Sequence, residues 1–218
     1  MGAITRAAAN NITTGGVILP AAINDASVAS VTELAQVSAG DGITLISSQT
    51  ASSSASISFT SGIDSTYRTY LLKFINIHPD SSQPSFTFNM STDGGSNYNV
   101  TKTTTVFTTY HFEDDSSADL VYDSGLDLAQ SQDYQNLGNL INNNSDDSHT
   151  GYLYLFSPSS TTYVKHFISE FQKGNGGGGA STNQFFAGYG NTTSAINALD
   201  FKMSSGTFSG TIHMYGIA

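Results

Sequence analysis

A chain of 218 residues with 17 acidic and seven basic side chains, formal net charge −10, is poorly equipped to follow a nucleic-acid backbone, because each phosphate contact needs a cation. The same shortage argues against an anionic membrane surface. With no cysteine, disulfides, thiolate metal sites and thiol nucleophiles are excluded together, so stability has to come from packing or from association between chains.

Charged residues are only 11% of the sequence, whereas Gly (21), Tyr (11) and Phe (13) are abundant, and Ser, Thr and Asn fill much of the remainder. A surface kept wet by hydroxyls and amides is an economy common in extracellular β-proteins and unusual in cytosolic enzymes. The N-terminus, MGAITRAAANNITTGGVILPAAIND, is broken by Asn, Thr and Gly before any long apolar run, so it does not read as a signal peptide. Val17, Ile18 and Leu19 form too short a patch to span a bilayer, and no membrane insertion is expected.

Residues 1–48 are Ala-rich, free of aromatics and almost uncharged, and cannot build a core alone. Val28, Val31, Leu34 and Val37 recur every three residues, a spacing that suits a short amphipathic helix or, equally, three extended arms meeting on an axis. Together with Ile4, Ile12, Val17, Ile18, Leu19 and Ile23 they are more apolar than a disordered tail usually is, which makes this segment the candidate partner-binding arm. The tract Ser47–Ser56, SSQTASSSAS, is a linker or an exposed strand edge.

From Ser56 onward the period changes to two. Ile57 and Phe59, then Tyr70, Leu72 and Phe74, then Phe86, Phe88 and Met90 mark the apolar faces of successive strands, with Gly62, Pro79 and Pro84 as breaks. Asp93-Gly94-Gly95-Ser96 predicts a tight turn before a Thr-rich strand from Val100 to Phe107 or beyond. Residues 113–147, with EDDSSAD, a predicted helix over Leu126–Leu140 and NNNSDDS, read as a long excursion away from the sheet. Strands resume at GYLYLF (151–156) and YVKHFISEF, where Tyr163, Phe167 and Phe171 are placed on one face. The glycine run in Lys173–Ala180 is a flexible loop, since no GxxxxGK[ST] or strand-borne GxGxxG accompanies it. QFFAGY follows, and then a closing hairpin whose strands alternate about Leu199, Phe201, Met203 and Ile212, Met214. Eight or nine short strands predict an all-β fold, a jelly-roll-like β-sandwich over residues 49–218 with an N-terminal extended or partly helical arm over 1–48.

Reaction chemistry is not visible in this pattern. His78, His111, His149, His166 and His213 are scattered without HExxH or a paired ligand spacing, and nothing like GxSxG positions a nucleophile; no catalytic, cofactor-binding or metal-binding residue is assigned. His166 and His213 could approach carboxylates after folding. The acids Glu113, Asp114, Asp115, Asp119, Asp146 and Asp147 lack a DxDxDG loop and read as solvated loops before calcium ligands. Tyr152, Tyr154, Tyr163 and Tyr189 could stack on sugar rings or pack across strands.

The strings FTSGIDSTYRTYLLKFINIHP, STDGGSNYNVTKTTT, YHFEDDSSADLVY, DLAQSQDYQNL, LYLFSPSSTTYVKHF, AGYGNTTSAINALDFKMSSG and GTIHMYGI, in this order from about Leu45 to Ala218, resemble a family of tailed-bacteriophage virion proteins common in marine and cyanobacterial phages. The segment TELAQVSAGDGITLI resembles attachment segments of phage fibre proteins. The resemblance implies a non-enzymatic virion structural protein, as a capsid decoration, head fibre or tail-fibre component. Its expected partners are phage capsid or tail proteins and two further copies of itself in a homotrimer. The alternative is a receptor-binding head that recognises a host glycan.

Overall fold

The computed structural model describes residues 42–175 and 179–218, and the candidate arm residues Ile4 to Val37 lie outside them. The described residues form twelve strands in two antiparallel sheets. In chain order the strands are β1 (Ile43–Ser54), β2 (Ser56–Phe59), β3 (Thr69–Pro79), β4 (Phe86–Ser91), β5 (Lys102–Phe112) and β6 (Ala118–Tyr122). They continue with β7 (Gln135–Gly138), β8 (His149–Phe156), β9 (Lys165–Asn175), β10 (Ala180–Gly190), β11 (Ala198–Met203) and β12 (Phe208–Ile217). Aromatic and β-branched residues at alternate positions suit each of them to a pleated, half-buried surface.

The large sheet has the order β1-β12-β3-β8-β9-β10-β5-β6, and the small sheet β2-β11-β4-β7. Four strands of the large sheet, β1-β12-β3-β8, and the whole small sheet interleave in sequence as a double Greek key; leaving aside the inserted strands β5-β6 and β9-β10, the chain crosses between layers from β1 to β2, to β3 and to β4, and again from β7 to β8, to β11 and to β12. This is the connectivity of a jelly roll. Two inserted pairs, β5-β6 and β9-β10, lengthen the large sheet beyond β8, so it is twice as wide as its partner.

The core lies between the sheets. Phe74, Phe86, Phe171, Phe201 and Phe208 are wholly buried there. Phe86 contacts the other four, at ring-centroid distances of 5.3 Å to Phe74, 5.8 Å to Phe171, 6.1 Å to Phe201 and 5.7 Å to Phe208. The Phe171 ring occupies the space a side chain would need at Gly138 on the small sheet, and at Gly151 on the large one a Cβ would meet the Glu170 carbonyl first and then Phe171, so both positions exclude a Cβ. Strand alternation read from the sequence places Ile57, Phe59, Tyr70, Leu72, Phe74, Phe86, Phe88 and Met90 inward as expected, and all are buried.

Several expectations change. Leu199, Phe201 and Met203 do alternate inward, as do Ile212 and Met214, but β11 and β12 belong to opposite sheets and do not form a hairpin. The Ser204–Thr207 reversal is a crossover, because each strand buries its apolar face against the other layer. No helix forms over 126–140. That stretch carries a turn at Asp123–Leu126, a bridge between Ser131 and Lys102, and β7. Leu137 is buried in the core, and the Leu128 N–H and carbonyl bond Thr104 while the Leu126 carbonyl accepts from Gln135, partners that outweigh local helix propensity; Leu140 is 52% exposed. The acidic excursion likewise returns to pair as β6 with β5. Ser47–Ser54 is the edge-strand alternative, since β1 starts at Ile43 and runs across the 48/49 boundary as an outer strand of the large sheet. Tyr163 does not share a face with Phe167 and Phe171; it precedes β9 and is 72% exposed.

Lysines supply an unexpected part of the interior. Lys102, Lys165 and Lys173 are buried with no carboxylate of the described residues within ion-pair distance, each ammonium held by oxygen acceptors instead. Lys102 Nζ donates to Asn89 Oδ1 at 2.6 Å and to the Val100 carbonyl at 2.8 Å. Burial pushes its ammonium down to about 7, and that of Lys173 to about 8.

Two outcomes follow from this packing. Phe86→Ala leaves a cavity touching four rings and is expected to lower the unfolding free energy by about 3–5 kcal/mol, read from urea unfolding curves. Above about pH 7 an unfolded chain holds a proton on Lys102 that the folded one has shed, so stability rises with pH until the ordinary lysine value near ~10.4 and is lost again as pH falls through about 7. One lysine contributes at most ~1.4 kcal/mol per pH unit. Urea midpoints across this window should show a shallower rise for Lys102→Met, with the contribution of Lys173 remaining.

Candidate functional site

Every antiparallel strand presents alternate residues outward, and a sheet with one solvated face normally shows polar residues there. The small sheet obeys this rule. Its outward positions include Ser56, Ser58, Asp200, Lys202, Thr87 and Asn89, and they bond one another or nearby groups. Asp200 accepts from Ser58 Oγ at 2.5 Å and from Tyr134 Oη at 2.9 Å, while Lys202 Nζ lies 3.9 Å from the centre of the Tyr134 ring.

The large sheet does not. Following its ladder across the strands, Leu45 pairs with Tyr215, Tyr215 with Leu71, Leu71 with Tyr154, Tyr154 with Ile168, and Ile168 with Ala187. The adjacent row runs from His213 through Lys73, Tyr152, Glu170, Phe185 and Phe107 to Tyr122. A third row places Phe156 close to His166 and Tyr189. Ile168 is 48% exposed, Phe107 42% and Leu45 51%, and Phe107 stacks on Phe185 with centroids 4.7 Å apart. Along β8, Tyr152, Tyr154 and Phe156 form a continuous row of rings at 5.5 and 6.2 Å.

Small side chains make this surface concave. Ala187 lies between Ile168 and Thr105 on the ladder, where a trough of about 430 Å³ opens, walled by Phe156, His166, Ile168 and Tyr189. The face is also nearly free of charge. Among the described residues Glu170 is the one carboxylate at an outward ladder position, and both its oxygens are engaged, by Tyr152 Oη at 2.5 Å and Asn183 Nδ2 at 2.6 Å. The Tyr152 hydroxyl is pushed up to about 12, chiefly by that hydrogen bond. Lys73 is the outward cation, 5.4 Å from the centre of the Tyr215 ring.

Of the tyrosines named from sequence, Tyr152, Tyr154 and Tyr189 are brought together on this face and Tyr163 is not. His166 and His213 lie on it too, without a carboxylate partner: His166 is beside Tyr189 with rings 6.0 Å apart, and His213 Nδ1 is 3.0 Å from Tyr215 Oη. His149 is buried; its Nε2 donates to the Asn142 carbonyl at 2.9 Å, and burial pulls its proton affinity down, which leaves a neutral imidazole. His78 meets the Asn144 carbonyl, and His111 pairs with Asp115 at 3.0 Å. Among the described residues no three His, Asp or Glu side chains cluster to hold a metal ion, and Glu113, Asp114, Asp115, Asp119, Asp146 and Asp147 are spread over separate loops and β6. No helix there is long and apolar enough to cross a membrane. The outward apolar face itself was visible in the sequence as Tyr, Phe and Ile at both phases of β8 and β9, a pattern of strands covered on two sides.

Comparison with protein-family models, with curated proteins and with solved structures finds no match to this chain.

Proposed function

We propose that the protein is a non-enzymatic structural subunit of a phage particle. It assembles as a homotrimer through the outward face of the large sheet and is attached to capsid or tail proteins by residues 1–48. The observation that carries the assembly reading is the contrast between the two outward faces, one polar and self-satisfied, the other apolar and nearly uncharged. A contiguous apolar surface of this kind marks a protein contact. The charge distribution favours a second copy of the same chain as the occupant. At a net charge of −10 two molecules repel, and on this face the one carboxylate within the ladder rows, Glu170, is held by Tyr152 and Asn183, while Asp127 beside Tyr122 and Asp115 beside His111 stand at its β5–β6 end.

The dimensions agree. Eight strands about 4.8 Å apart and up to 12 residues long at about 3.3 Å each span a face of roughly 38 by 40 Å, more than the ~800 Å² per partner of a standard interface. The absence of cysteine points the same way, since a disulfide-free domain outside a cell gains stability by association. The phage context, and with it a virion location as a capsid decoration, head fibre or tail-fibre component, rests on the resemblance of residues 45–218 described above.

Native mass spectrometry of the full chain should give three times the 23.0 kDa monomer. Ile168→Asp and Phe107→Asp, both at exposed outward positions, are expected to weaken association by about 30-fold or more while leaving the thermal midpoint of the isolated subunit unchanged. A wild-type chain that stays monomeric at micromolar concentration removes this reading.

A further inference from the structure

The large sheet outgrows the small one, and its surplus has a second open side. β7, the last strand of the small sheet, packs over β9 and β10, and beyond it, among the described residues, no strand faces Thr108, Tyr110 and Phe112 of β5 or Thr182 of β10. There a cavity of about 280 Å³ is lined by inward residues of three adjacent strands together with Asp123 and Asn139. The ladder sets its floor: Tyr110 pairs with Thr182 and Thr182 with Lys173. Thr182, Gln184 and Lys173 are 6%, 2% and 7% exposed, which makes this a built recess.

Its charges are unpaired. The Lys173 ammonium donates to the carbonyls of Asn139 and Leu140, and no third acceptor for it is present among the described residues. Asp123 accepts one long bond, from Thr108 Oγ1 at 3.4 Å. The carboxylate and the ammonium feel each other's charge, yet they form no ion pair. Neutral donors and acceptors surround them: Gln184 Nε2 donates to Thr108 at 3.2 Å, Gln184 Oε1 accepts from the Asn139 N–H at 2.8 Å, and the hydroxyls of Thr182 and Tyr110 line the wall. The rings of Tyr110 and Phe112, 5.7 Å apart, close one side.

We propose that this recess is a saccharide-binding site for a single neutral pyranose ring. Vicinal hydroxyls donate to Asp123 and accept from Lys173, satisfying both charges without bringing them together, and the C–H face of the ring packs on Tyr110 and Phe112. At about 280 Å³ the cavity is just below the ~300–1,000 Å³ range of drug-sized ligand pockets, which suits one sugar unit. An amino-acid zwitterion would satisfy the two charges but leave the hydroxyls and the aromatic wall without a role. The site is on the opposite side of the sheet from the apolar face, so the assembly reading and this one stand or fall separately.

Saturation-transfer NMR on the full chain with glucose, galactose, mannose and N-acetylglucosamine, and with glycine as the zwitterion, tests it. At least one sugar should receive saturation and glycine none. Asp123→Asn and Tyr110→Ala, both at partly exposed positions that leave the core intact, should weaken binding about ten-fold or more, as should Lys173→Met where circular dichroism shows it folded. No transfer to any of the four sugars, transfer to glycine alone, or sugar binding unchanged in Asp123→Asn and Tyr110→Ala overturns the proposal.

Discussion

The ring of Phe86 is where the two layers of this protein are locked together. It comes from the small sheet and meets Phe74, Phe171 and Phe208 of the large sheet as well as Phe201 beside it, so strands distant in sequence share one packing unit. Gly138 leaves room for the Phe171 ring, and Gly151 leaves room for the backbone of Glu170 and Phe171. With this centre in place, the phase of each crossing strand is set, and a one-residue slip in any of them would turn its phenylalanines to water. The outward faces are consequences of the same phase. Whatever stands at odd positions of β9 and β10 sides with the core or with the exterior according to where Phe167, Phe171 and Phe186 are held.

Layer mismatch is the second organising fact. A four-stranded sheet cannot cover an eight-stranded one, and the uncovered strands β5, β6 and part of β10 are solvated or looped over on both sides. The loop after β6 covers Val106 and the buried pair Thr104–Gln135, whose side chains bond at 2.6 Å. Farther along the same strands no other described segment takes its place. The result is a molecule with one broad apolar outer surface and one small polar recess, on opposite sides of the same strands.

Much of the sandwich was legible from alternation alone, because Ile57, Phe59, Tyr70, Leu72, Phe74, Phe86, Phe88 and Met90 follow the period of a pleat. What alternation does not carry is partnership. Leu199–Met203 and Ile212–Met214 look like two arms of a hairpin because a short Ser-Gly turn joins them, and only the opposed burial of both strands sends them to different layers. The 126–140 stretch misleads in another way: its backbone pairs at Leu128 with Thr104 and at Ser131 with Lys102 before it enters β7, and of its leucines Leu137 alone is fully buried. The buried lysines could have been found. Lys165 and Lys173 are in phase with Phe167 and Phe171, so any register that buries the rings buries the amines as well. The recess, by contrast, depends on where β7 ends relative to β10, a quantity that no local pattern encodes.

The position of β12 between β1 and β3 has a consequence for biosynthesis. On the ribosome, β1 and β3 emerge early but are not each other's neighbours, and the slot between them stays empty until residues 208–217 leave the exit tunnel. Two raw strand edges therefore wait until β12 is made. The pairing that joins them is a late, long-range event, and until it forms the serine-rich second half of β1 is the part of that edge with few apolar side chains to invite premature cross-pairing.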